Sequence, residues 1–323
     1  MEIFVTGATG VLGRTTVPLL LAGGYRVRGL ARSATNDTLL RQLGAEPVTV
    51  DLADAAELRA ALGGCDAVLH LATKIPPSSA ARKGASWLEN DRLRREGTNA
   101  LVDAALAAGV PALLYPSVTL LYPDSGARWL VAGESTLDPT PNLLSTIVAE
   151  EAVARFTASG GRGIVLRLGS LYGPTAASSR AQLSLVRWGV APLPGAAGAY
   201  ASSLWVDDAA RAIVAALDRA PAGLYDVVDD EPLPRAVLVA ALSGAVGRRP
   251  ARALPAFIWR ALAGGALAEL LGRSQRVSNR AFKAATGWSP AVPSVRDGAP
   301  RLVAALKATS GGAHGSAVST RQG

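Results

Sequence analysis

The chain is short of several residues that commonly carry chemistry. It has 323 residues, of which one is cysteine and two are histidine. Cys65 cannot form an internal disulfide, which excludes a disulfide-stapled extracellular scaffold. His70 and His314 are too few for a histidine-based triad, so no such triad and no metal site are expected. Lysine is nearly missing, with 4 lysines against 29 arginines and none between Lys83 and Lys283. Long apolar runs are also missing. The most apolar stretch, Leu254–Leu271, contains Arg260 and Glu269 and is short for a membrane span. It is expected to be a helix of the core, or one over a substrate pocket or at a homodimer seam, and no membrane partner is expected. No basic segment followed by an apolar one precedes the first strand, which points to a cytoplasmic protein.

Against these absences stand a hydrophobic content of 49% and a net charge of +8. The positive excess gathers in Arg248, Arg249, Arg252, Arg260, Arg273, Arg276, Arg280 and Lys283, opposed only by Glu269. Such a cluster suits an anionic ligand or a solvated basic face. No aromatic interleaving accompanies it, so nucleic acid is not an expected partner.

Short apolar strands alternate with helical segments through the first half. Strands are expected at Glu2–Thr6, Arg26–Leu30, Pro47–Val50, Ala67–His70, Ala112–Tyr115 and Gly163–Leu168. Helices are expected at Leu12–Ala22, Ala55–Leu62, Leu93–Ala108 and Ser145–Ala158. This rhythm implies an α/β fold with a doubly wound parallel Rossmann sheet and a smaller, mostly helical C-terminal lobe. The expected boundaries are 1–170 for the dinucleotide-binding domain, with 201–228 returning to it. The substrate lobe takes 171–200 and 229–308, and 309–323 forms an irregular tail.

The run Thr6-Gly7-Ala8-Thr9-Gly10-Val11-Leu12-Gly13 follows the first strand and opens a helix, the context a dinucleotide fingerprint needs. Gly7 permits the tight turn, Gly10 lets a pyrophosphate approach the backbone, and Gly13 lets helix and strand pack closely. Thr9, Val11 and Leu12 present helix N-terminal amides to the phosphates. The second strand ends without the acid that would bind a ribose 2′-hydroxyl. It ends instead in Arg32-Ser33, with Arg28 nearby, which favours NADP(H) over NAD(H). Asp51-Leu52 after the third strand and Leu71-Ala72-Thr73 after the fourth complete the expected cofactor contacts.

These motifs resemble the extended short-chain dehydrogenase/reductase superfamily, in its NAD-dependent epimerase/dehydratase branch. The resemblance runs to about residue 305. It also rests on Gly97-Thr98-Asn99, Leu166–Pro174, Trp205-Val206-Asp207-Asp208-Ala209 and Ala285–Pro290. It implies a Tyr-x-x-x-Lys pair that moves a proton and holds the nicotinamide ribose, and a Ser or Thr that polarises the substrate oxygen. This chain has no such pair anywhere. Counting back from Glu151 puts Leu143 and Ile147 at the two positions, and counting from Glu150 puts Asn142 and Thr146 there. The Ser/Thr position falls on Val118.

Candidates for a relocated catalytic group are Tyr172, Ser117, Thr119, Tyr122, Ser145 and Lys74. Three functions stay open. The first is an NADP(H)-dependent oxidoreductase acting on a small apolar carbonyl or alcohol. The second is a redox-neutral isomerase, lyase or cyclase of secondary metabolism, with the cofactor structural or vestigial. The third is a non-catalytic NADP-binding regulator. Trp188, Trp205, Phe257, Trp259 and Trp288 are available to line a pocket for an apolar or aromatic substrate. Arg94 and Arg95 could bind an anionic substrate group, or pair at the surface with Glu89, Asp91 or Glu96.

Overall fold

The computed structural model describes residues 1–76 and 84–315. Seven parallel strands form its central sheet. They are β1 (Glu2–Thr6), β2 (Arg26–Leu30), β3 (Glu46–Val48), β4 (Ala67–His70), β5 (Ala112–Val118), β6 (Arg162–Leu168) and β7 (Gly223–Val227). Their order is β7-β6-β5-β4-β1-β2-β3. Every residue of β1 and β4 is buried, which is why both are uninterrupted apolar runs apart from their polar ends.

The strand order reverses between β1 and β4, and a crevice opens there at the carboxyl ends of the strands. Side-chain alternation sends Ile3 and Val5 to one face and Phe4 to the other. The first face is covered by α1 (Val11–Ala22), α2 (Ala34–Gln42), α8 (Val206–Arg219) and α12 (Arg280–Thr286), through residues such as Val17, Leu40, Ile213 and Phe282. The second is covered by α3 (Ala55–Leu62), α5 (Thr98–Ala108) and α6 (Leu144–Ala158), through Leu58, Leu101 and Val153. A short helix, α4 (Leu88–Arg92), leads into a π-helical turn, Leu93–Gly97, ahead of α5.

The C-terminal lobe has its own core. Tyr172, Leu183, Trp205, Leu238 and Leu302 meet where α7 (Ala177–Arg187), α9 (Arg235–Ala245) and α13 (Val295–Gly315) pack together. Residues 280–288 leave this lobe and join the sheet's core through Phe282 and Trp288, although they were expected within it. The stretch 254–271 is two helices, α10 (Ala256–Ala263) and α11 (Gly265–Gly272). Gly264 separates them at φ +84°, a backbone angle that no side-chain-bearing residue adopts readily.

Two other expectations change. The expected tail begins helical, since α13 runs to Gly315, and 316–323 lie outside the described residues. The basic cluster is partly consumed inside the molecule. Buried Arg273 binds the Asp138 carboxylate at 2.8 Å, Lys283 binds Asp230 at 2.9 Å, and the Arg276 guanidinium lies 4.1 Å from the centre of the Trp129 ring. No helix among the described residues is long and apolar enough to cross a membrane.

Candidate active site

The turn after β1 has the shape its glycines predict. Gly7 sits at φ +69°, and a Cβ there would lie 2.5 Å from the backbone of Leu71 and Ala72. A Cβ on Gly13 would fall 2.3 Å from the Gly7 carbonyl. The β1 and β4 loops therefore touch backbone to backbone, and α1 starts as close to the strand as the chain permits. Gly10 is the N-cap of α1, and no side chain caps the first-turn amides. Gly10 and Val11 are exposed, Thr9 and Leu12 half-buried. An open, uncapped helix N-terminus over a glycine cradle fits a pyrophosphate.

Around this cradle, Arg32 is exposed at the end of β2. Ser33 caps α2, its hydroxyl accepting from the Asn36 amide at 3.2 Å. Arg28 is not available to a ligand in the way expected of it. It pairs with Glu2 and donates to the Ala61 and Gly63 carbonyls at 3.2 and 3.1 Å. Asp51 is exposed and accepts from the Ala53 amide at 3.0 Å. Leu52 and Ala72 are half-buried, Leu71 is buried, and Thr73 is exposed.

The other end of the crevice is built from side chains. Ser117, Arg167 and Asp226 occupy one row across β5, β6 and β7, in register as Ser117 with Arg167 and Arg167 with Asp226. Glu150, from α6, is clamped by Arg167 through Nε at 3.0 Å and Nη2 at 2.6 Å. The Ser117 hydroxyl donates to the same carboxylate. Tyr122 donates to both Asp226 oxygens, at 3.0 and 2.9 Å, and accepts from Arg167 Nη1 at 3.2 Å. Burial pushes the Asp226 carboxyl up to about 7 and holds the Tyr122 phenol far above its ordinary value. Two candidate groups, Ser117 and Tyr122, are thus engaged in one closed network.

The remaining candidates are dispersed. Tyr172 lies in the lobe core, edge-on to Trp205 with ring centres 5.2 Å apart, and donates to the Ser294 carbonyl at 3.2 Å. Burial drives its phenol above the ordinary range, so Tyr172 is placed as a packing residue. Ser145 donates to Asp91 at 2.7 Å. Thr119 is buried at the turn after β5. Lys74 is exposed, and its backbone amide donates to Asn90 at 3.2 Å. Of the expected pocket aromatics, Trp205 and Trp288 are buried in cores, whereas Trp188 and Phe257 are 84% and 72% exposed.

In the count from Glu151, apolar residues stand where the resemblance asks for Tyr, Lys and Ser or Thr. Val118, Leu143 and Ile147 belong to one cluster with Leu121 and with Leu267 and Leu270 of α11. Val118 and Ile147 are half-buried and Leu143 is buried. Glu150, not the exposed Glu151, is the acid turned to the sheet. Thr146, one helical turn before it, is fully buried and accepts a hydrogen bond from Arg94. Of the two readings of Arg94, surface pairing does not hold, because the residue is 3% exposed.

The chain matches the model of the NAD dependent epimerase/dehydratase family over residues 3–227. A Streptomyces protein, 3-diazoavenalumate denitrifying reductase, is 34% identical over 317 residues, covering 93% of this chain and 100% of the relative. A human epimerase family protein solved with NADPH superposes with a TM-score of 0.75 at 22% identity, over 94% of this chain and 99% of that one. A short-chain dehydrogenase/reductase superfamily protein from Agrobacterium tumefaciens, solved with bound NAD, gives 0.76 at 22% identity, over 97% and 99%. The glycine cradle at the strand-order reversal and the match over most of the sheet agree, and the chain belongs to the NAD-dependent epimerase/dehydratase family.

Proposed function

We propose that this protein is an NADP(H)-dependent oxidoreductase that reduces an acceptor needing hydride but no enzymic proton, with an arenediazonium cation as the acceptor class. The observation that carries this reading is that neither count places a proton-moving side chain at the family's positions: Leu143 and Ile147, or Asn142 and Thr146, stand where the Tyr and Lys belong and Val118 where the Ser or Thr belongs, with Val118, Leu143 and Ile147 in one apolar cluster. Reduction of a carbonyl makes an alkoxide, which a nearby acid must protonate. Reduction of an arenediazonium does not. The cation accepts hydride, the carbon–nitrogen bond breaks, nitrogen gas leaves with the bonding electrons, and the transferred hydrogen ends on carbon. Charge and atoms balance with no acid involved.

Reduced nicotinamide would supply the hydride when bound. The residues around it would do three things. The glycine cradle and the α1 amides would hold the pyrophosphate. Arg32, with no acid beside it at the end of β2, would meet a 2′-phosphate. Val118, Leu143 and Ile147 would offer an aromatic ring an apolar wall and keep water from the reactive carbon. The full-length similarity to a denitrifying reductase supports the same acceptor class.

The test is turnover of purified protein with NADPH deuterated at C4. It is run against a benzenediazonium and a panel of aryl ketones and aldehydes, beside protein-free controls. The expected result is faster NADPH oxidation with the diazonium alone, nitrogen release, and deuterium in the arene. Reduction of a carbonyl, or no acceleration with the diazonium, overturns the acceptor class. Faster turnover with NADH than with NADPH overturns the cofactor preference.

A further inference from the structure

Arg94 is a buried cation with no ion-pair partner among the described residues. Its one side-chain hydrogen bond given by the geometry goes from Nη1 to the Thr146 hydroxyl. Its Nε is buried with no hydrogen-bond partner, and no carboxylate among the described residues forms an ion pair with it. The groups beside it are neutral. Burial pushes the His70 imidazole down to about 4 and raises the Tyr115 phenol. The Tyr115 hydroxyl is also buried without a hydrogen-bond partner. Glu150, on the same side of the sheet, is held by both arms of Arg167.

A buried charge left unpaired costs several kcal/mol, and perturbed or unpaired charges of this kind gather at functional sites. The way Arg94 arrives is also unusual. It is carried by the π-helical turn Leu93–Gly97, and such turns are frequent at functional sites. An ordinary α-helical turn would carry the following side chains round by a different angle.

The position is specific. His70 ends β4, and its Nδ1 shares a 2.7 Å hydrogen bond with Thr6, the last residue of β1 before Gly7. Thr146 lies in the first turn of α6, and it is where the count from Glu150 places the family's lysine. The guanidinium therefore stands on the α6 side of the sheet, near the end of β4 at the reversal point.

We propose that Arg94 is the electrostatic residue of the nicotinamide end of the site. Its charge favours the reduced, uncharged nicotinamide ring over the oxidised, positively charged one. The protein would then hold NADPH in preference to NADP⁺ and release the oxidised product. This inference rests on the proposed NADP(H) site.

The experiment is titration of NADPH and of NADP⁺ into wild-type protein and the Arg94→Met, Arg94→Lys and Thr146→Val variants. Thermal unfolding is followed in parallel. The expected result is that wild type binds NADPH more tightly than NADP⁺. Arg94→Met should shrink that ratio about tenfold, equivalent to about 1.4 kcal/mol, while Arg94→Lys keeps most of it. Arg94→Met and Arg94→Lys ratios both equal to that of wild type overturn the proposal, whatever their stabilities. If Arg94→Met does not fold, the Thr146→Val variant, which frees the guanidinium while keeping its charge, is expected to retain the preference. Arg94→Lys then decides, and a lysine variant that folds yet binds the two forms equally also overturns the proposal. Failure of wild type to bind either nucleotide would instead overturn the proposed cofactor site.

Discussion

The two ends of the crevice are made of opposite materials. At the β1–β2 end, recognition belongs to the backbone. Gly7, Gly10 and Gly13 shape a cradle, the first amides of α1 are uncapped, and Arg32 is exposed. At the β5–β6–β7 end, the polar side chains are closed on one another. Ser117, Glu150, Arg167, Tyr122 and Asp226 spend their hydrogen bonds within the set, and the neighbouring surface is Val118, Leu143 and Ile147. Open polar groups recognise a ligand, whereas satisfied networks make the scaffold rigid. The contrast teaches that finding polar residues near a catalytic position is not enough. What matters is whether their hydrogen-bonding capacity is still free.

The largest effect should come from filling the cradle. In Gly10→Val the new Cβ meets protein only at the Gly7 carbonyl, 3.2 Å away, and the backbone there, at φ −78°, suits valine. The fold should survive with only a small change in unfolding temperature, the Gly7 carbonyl giving way by a few tenths of an ångström. The side chain would occupy the space that a pyrophosphate needs, and NADPH affinity should fall about a thousandfold, or about 4.1 kcal/mol. Fluorescence titration measures it. Unaltered affinity would break the contrast at its first term, because recognition would then not depend on the cradle.

Next in size is the network itself. Glu150→Ala strips the counter-charge from Arg167, whose side chain is 4% exposed. Breaking a buried pair this way costs about 3 kcal/mol, readable as a lower urea midpoint. Glu150→Gln should cost less, because the amide oxygen still accepts from the guanidinium. Cofactor affinity should stay within about twofold of wild type in both, the residual coupling expected of separate sites. A Glu150→Gln variant with native stability and no turnover would show that the network takes part in the reaction, and the distinction between the two ends would fail.

The two ends also differ in how far the amino-acid sequence discloses them. The cradle is local, with strand, turn and helix contained in thirteen residues, and its glycines name their own geometry. The boundaries of β1, β2 and β4 are legible for the same reason. The network is not local. Tyr122 and Asp226 are 104 residues apart, and Tyr172 finds its carbonyl partner 122 residues away. Expected nearness to the nicotinamide face made Tyr172 a candidate, but in the fold it packs edge-on to Trp205 in the lobe core. Arg94 could be named from the sequence but its burial could not, because periodicity assumes an α-helical turn and the π turn shifts the face it occupies. The glycine pair that divides 254–271 was visible and carried the needed signal. That Val118, Leu143 and Ile147 replace the catalytic set could be counted from the sequence, but their meeting with Leu270 follows only from the fold.

The smallest effect is a pH dependence that separates the network from the crevice floor. Asp226 is raised to about 7 by burial, against about 3.9 in an unfolded chain. Between those values the unfolded chain has lost a proton that the folded protein keeps. This group's contribution to stability therefore falls as pH rises from about 4 to about 7, by about 2 kcal/mol over the upper two units. His70 has the opposite sign. Its folded value is lowered to about 4, so below about 6.5 the unfolded chain takes up a proton that the folded one refuses. Its contribution is complete above that pH and is lost as pH falls. In wild type the two slopes oppose each other between about pH 4 and 6.5. Asp226→Asn removes one slope, keeps an acceptor for Tyr122, and should leave a variant that gains on wild type by about 2 kcal/mol between pH 5 and 7. Urea unfolding at each pH measures the gap. Parallel curves would mean that Asp226 is ionised throughout, making the network a pair of carboxylates around Arg167 rather than a proton-holding set.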